Sequence, residues 1–162
     1  MKFKRLAAYA AAAVTVAVTA VAGANPASAA DPAGNWRAYG NTSPTLHSPS
    51  VWVCGDTAPI TSGVVAQACV VRGKGDPPDV ESTLVQAAVI VRNNRSGVYT
   101  AEAAAELDTW PGLQFYKRWI CPASGIAPNS WSVCFGVTFN YFDRMQAKGG
   151  VNGTSLPTSP EV

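Results

Sequence analysis

The chain has 162 residues, with 12 Lys plus Arg against 10 Asp plus Glu and a formal net charge of +2. Lys2, Lys4 and Arg5 precede residue 31 and no acid does, so residues 31–162 carry nine basic and ten acidic side chains. That balance lacks the basic excess of a nucleic-acid binder. With 48% hydrophobic and only 14% charged residues, wholesale disorder is excluded as well.

Met1 to Arg5 is basic, Leu6 to Ala24 is apolar and rich in Ala and Val, and Asn25 to Asp31 reads Asn-Pro-Ala-Ser-Ala-Ala-Asp. This is the layout of a secretory signal peptide over residues 1–30, cut after Ala29 or Ala30. The rival reading is an uncleaved anchor, since nineteen apolar residues can just span a bilayer. The small residues at the boundary argue against it. The expectation is a secreted, extracellular protein with no membrane contact after leader cleavage.

Residues 31–50 are rich in Pro, Gly, Asn, Ser and Thr and read as an irregular arm, docked through Trp36 and Tyr39. From Val51 the pattern is β. Strand candidates are 51–54, 63–72, 83–92, 98–108, 114–121, 131–142 and 145–151, most of them separated by clusters of turn formers. In 98–108, Tyr99, Ala101, Ala103, Ala105 and Leu107 fall on one face, with Thr100, Glu102, Glu106 and Asp108 on the other. The same stretch has high helix propensity, so a short helix competes with the strand. Segment 131–142 places Trp131, Val133, Phe135, Val137, Phe139 and Tyr141 on one bulky face, expected to be core. Segment 83–91 is apolar on both faces and reads as a central strand. Residues 152–162 contain Pro157 and Pro160 and are expected to fray. The fold expected over 51–151 is all-β: a two-sheet antiparallel, immunoglobulin-like β-sandwich of about seven strands.

Cys54, Cys69, Cys121 and Cys134 give an even count in an exported chain, which reads as two disulfides. Three pairings are possible. Cys54–Cys69 and Cys121–Cys134 are favoured because each joins sequence neighbours, closing a loop worth on the order of 3 kcal/mol. The redox or metal alternative lacks a Cys-x-x-Cys or a nearby His.

The leader ending Ala-Ser-Ala-Ala, Trp52-x-Cys54-Gly55, Gln67-Ala68-Cys69-Val70-Val71 and Val133-Cys134-Phe135-Gly136 resemble small two-disulfide secreted proteins of actinobacteria. The resemblance implies a source and an exported life, and no activity.

The residues offer little catalytic chemistry. His47, the only histidine, stands in a Pro-flanked segment before the first strand, and no Gly-x-Ser-x-Gly is present. Glu106 and Asp108 share a strand face at a spacing an acid–base pair can use, but a solvated polar face explains them equally well. Asp76, Asp79 and Glu81 lack the spacing of a calcium loop. Arg92, Arg95, Lys117 and Arg118 read as solubilising charges. No metal or cofactor is called for, and the chain is read as non-enzymatic. Trp110, in the turn Thr109-Trp110-Pro111-Gly112, and Tyr116, out of phase with Phe115 and Trp119, are candidate ligand-binding aromatics, since exposed rings can stack on sugars.

Four functions compete. The leading one is a non-enzymatic interaction or structural protein of the cell surface or medium. The runner-up is a stand-alone carbohydrate-binding module, and the partner is left open between a polysaccharide and a secreted protein. A protease inhibitor acting through the loop 122–129 between two cysteines is third. A hydrolase using Glu106 or His47 is fourth.

Overall fold

The computed structural model describes residues 31–38, 50–74, 81–112 and 114–162. The leader, Tyr39, His47, Asp76 and Asp79 lie outside the described residues. The strands are β1 (Asn35–Ala38), β2 (Ser50–Cys54), β3 (Ala58–Thr61), β4 (Val64–Lys74), β5 (Glu81–Asn93), β6 (Tyr99–Thr109), β7 (Gln114–Ile126), β8 (Ser130–Phe135), β9 (Phe139–Asn140), β10 (Met145–Val151) and β11 (Thr154–Ser155). The larger sheet runs β1-β8-β5-β4-β2, with β3 on β4 and β9 on β5; the smaller runs β11-β10-β6-β7. All strand pairs are antiparallel.

The two sheets face one another across a single core. Val64, Ala66, Ala68 and Val70 of β4 and Val85, Ala87, Val89 and Val91 of β5 meet Ala101, Ala103, Ala105 and Leu107 of β6, Trp119 and Cys121 of β7, and Met145, Ala147 and Val151 of β10. The two-residue period of 99–107 therefore prevails over its helix propensity, because only a strand buries all of its Ala face and Leu107 together. The alanines let the sheets approach closely. A Cβ at Gly149 would lie 2.5 Å from Val89 Cγ2.

The bulky face of 131–135 points the other way. Trp131, Val133 and Phe135 join Trp52, Val71, Ile90 and the Cys54–Cys69 bridge on the outer side of the larger sheet, while Cys134 points inward. The expected continuous strand 131–142 is broken after Phe135, where Gly136 lies against the Trp119 ring; a Cβ there would be 2.6 Å from Trp119 Cε3. After the break, Phe139 and Tyr141 pack against the core and Val137 is exposed.

Both open sides of the sandwich are closed. On one side the N-terminal segment bridges Ala33 to Ile120 of the smaller sheet and then pairs as β1 with β8 of the larger. It passes over the Cys121–Cys134 bridge at Gly34, whose Cβ position is 2.6 Å from Cys121 Sγ. Residues 33–38 are thus not an irregular arm, and Trp36 docks by donating its Nε1–H to Pro122 O. On the other side, residues 156–162 run along β10. Leu156 N, Ser159 N and Val162 N donate to the carbonyls of Gly149, Ala147 and Met145. The expectation of a frayed tail fails because the N–H groups that Pro157 and Pro160 lack are not the ones this ladder uses. Arg72, from the larger sheet, adds hydrogen bonds to the carbonyls of Tyr141, Asp143 and Val162.

Both disulfides join sequence neighbours. Cys54–Cys69 ties the directly opposed positions of β2 and β4, and Cys121–Cys134 ties β7 of one sheet to β8 of the other.

Candidate functional site

The sandwich has two dissimilar ends. At the first, the turns 94–98 and 127–129 meet the turn 152–153. Asn93 is wholly buried there, and its side-chain amide donates to the carbonyls of Gly97, Ile126 and Ala127. Its own oxygen accepts from Arg95 N. Asn152, at a φ of 47° that Asn tolerates better than most residues, donates to Tyr99 Oη and Thr100 O and accepts from Glu102 N. Val98 is the large apolar side chain left exposed at this end.

The second end gathers the β6–β7 turn, the start of β7 and the segment 139–144. Its position is fixed by Trp110 N donating to Arg144 O and by the β5–β9 pairing of Val85 with Phe139. Between Leu107 and Asp108 the β6–β7 register jumps from Lys117 to Phe115, so Tyr116 is the extra residue of a bulge. A bulge re-aims side chains. Phe115 and Tyr116 are both exposed, and Tyr116 stacks on Phe139 at 4.9 Å and 10° and meets Tyr141 edge-on at 5.1 Å. Phe139 in turn lies over Trp119, which is buried and whose Nε1–H finds no acceptor among the described residues.

Trp110 is 38% exposed, Tyr116 41%, Phe115 60% and Phe142 84%. Burying such rings on a partner is worth roughly 25 cal/mol per Å² of apolar area, so this end holds unspent binding energy. The two aromatics singled out from the sequence share it. Phe115 and Phe142 were not singled out, although Phe142 breaks the odd-numbered period of the aromatics before it.

The remaining sequence candidates take other places. Glu106 and Asp108 are not a solvated face: both are buried on the outer side of the smaller sheet. Arg118 Nε donates to Glu106 Oε2 at 2.7 Å, and Lys148 pairs with Asp108. Arg118 is therefore a structural partner rather than a solubilising charge. Arg92 lies 4.6 Å over the Trp131 ring. A groove of about 400 Å3 beside these pairs is lined by Glu106, Arg118, Lys148, Gly150, Asn152 and Thr154. Of these, Glu106, Arg118 and Lys148 are held in the two ion pairs, and Asn152 is hydrogen-bonded to Tyr99, Thr100 and Glu102. The segment 122–129 is not a protruding loop. Residues 122–126 belong to β7, paired with the start of β6, and only 127–129 form a turn, closed by Ser130 Oγ donating to Ala127 O. That removes the geometric motive for the inhibitor reading. Among the described residues no group of three or more His, Cys, Asp or Glu side chains could hold a metal ion.

No family model, curated protein or solved structure matches this chain.

Proposed function

We propose that this is a secreted, non-enzymatic interaction protein of the cell surface or medium, of actinobacterial type, whose contact surface is the aromatic end of the sandwich. The observation that carries the reading is the joint exposure of Trp110, Phe115, Tyr116 and Phe142 at one end of a doubly bridged domain. Apolar rings held on a rigid frame and left in water are what an interaction surface requires. The leader and the two disulfides support export. The architecture is immunoglobulin-like in this reading: a disulfide joins the sheets, and the segment 33–38 touches both, through the Ala33 bridge to one and β1 in the other.

The more specific reading is a stand-alone carbohydrate-binding module. Tyr116, supported from behind by Phe139, offers a flat ring of the kind that stacks on the C–H face of a sugar, and Trp110 offers a second. A pull-down of the oxidised protein on chitin, cellulose and purified cell wall tests it. The expected result is retention on one polymer, reduced at least tenfold by Trp110→Ala or Tyr116→Ala, about 1.4 kcal/mol or more. Retention on none would reject polysaccharide binding and leave a secreted protein as the partner.

A further inference from the structure

Asp108 is the most deeply placed charged group among the described residues. Its side chain is 0% exposed, and neither carboxylate oxygen has a hydrogen-bond partner there. What lies against Oδ2 is the Nζ of Lys148 on the neighbouring strand β10. In the β6–β10 register Gln146 is opposite Asp108 and Lys148 is opposite Glu106, so the lysine reaches diagonally past Glu106 to its neighbour. Glu106 is not available to it as a full partner, because Arg118 from the other side of β6 already donates there. The result is one amine held against one buried carboxyl group that no further donor among the described residues solvates. As an ion pair this is a costly arrangement, since burial withdraws water from the carboxylate without returning hydrogen bonds to it.

We propose that Lys148 and Asp108 condense into an isopeptide cross-link between β10 and β6. Within the pair, the ammonium passes one proton to the carboxylate, leaving a neutral amine and a neutral carboxylic acid. The Nζ lone pair attacks Asp108 Cγ and the C–N bond forms. The C–OH bond breaks, and the departing hydroxyl group leaves as water with the second amine proton. No oxidant, reductant or co-reactant is consumed. The fold supplies proximity, which for well-oriented intramolecular groups is equivalent to an effective concentration of about 10⁵ M or more. Lys148 is 39% exposed, which gives the released water a way out. The bond would tie β6 to β10, neither of which carries a disulfide: Cys54–Cys69 joins β2 to β4 and Cys121–Cys134 joins β7 to β8.

Intact mass spectrometry of the purified, oxidised protein tests the proposal directly. The expected mass is one water below that of the sequence with two disulfides, and a reduced tryptic digest should contain a branched peptide joining the Asp108 and Lys148 segments, uncut after Lys148. A mass equal to that of the sequence with two disulfides, with normal cleavage after Lys148, would overturn it. Lys148→Arg should have the mass of its own sequence with two disulfides. A water deficit that persists in this variant would also overturn the assignment.

Discussion

The two ends of the sandwich solve the same problem in opposite ways. Each must terminate strands from both sheets and cover the core beneath. At the Asn93 end, side-chain amides serve the carbonyls of the turns, and from a fully buried position the two N–H groups of Asn93 are shared among three carbonyls while its oxygen accepts a fourth contact. At the Trp110 end, stacked rings cover the core, and further rings stand out into solvent. Buried amides specify one geometry and are costly to lose, because a buried carbonyl such as Ile126 O is left without its donor. Exposed rings add little to folding and retain their apolar surface for a partner. On the function proposed above, stability and interaction would fall at opposite ends.

Substitutions at the two ends should separate these roles. Asn93→Ala strands the buried Ile126 carbonyl, unties Gly97 and Ala127 and should cost about 3 kcal/mol, seen as a fall in melting temperature of roughly 10 °C for a domain of this size. A fall of only a degree or two would mean the polar end is not the structural one. Asn152→Ala should cost about 1.5 kcal/mol in urea unfolding, part from lost hydrogen bonds and part from a positive φ that Ala tolerates poorly. Asn152→Gly should recover roughly 1 kcal/mol of that, and equal losses in the two variants would assign the whole effect to the amide. Trp110→Ala and Phe142→Ala should change stability by about 0.5 kcal/mol or less, as exposed positions do. A larger loss would make the aromatic end part of the structural core instead.

Much of the core was legible in the sequence because it depends on a short-range period. Ala101, Ala103, Ala105 and Leu107 alternate without interruption, and their strand occurs where the pattern places it. The β-character of the chain and its two antiparallel sheets follow from the same signal. Periodicity gives the phase of a strand but not which face is inside. Trp131, Val133 and Phe135 alternate equally well, yet they cover the outside of the larger sheet. The strands β1, β3 and β11 were missed because each is only two to four residues long, too short to show a period. Burial of Glu106 and Asp108 depends on Arg118 and Lys148 from neighbouring strands, a register that local sequence does not encode. Trp110 and Tyr116 were found through a turn motif and a phase error. The phase error is the bulge itself. Phe115 and Phe142 complete the surface only once the bulge and the break after Phe135 have redirected the chain. The hydrogen bonds of Asn93 were hidden inside what reads as an ordinary polar turn.

The division between a structural end and a contact end is tested most directly by a two-dimensional NMR titration of the isotope-labelled, oxidised protein with a soluble fragment of the retained polymer. Backbone and indole resonances at 110–116 and 139–144 should shift with increasing ligand, while those at 93–98, 126–130 and 152–153 stay in place. Shifts centred on the asparagine end, or none at either end under saturating ligand, would contradict the account.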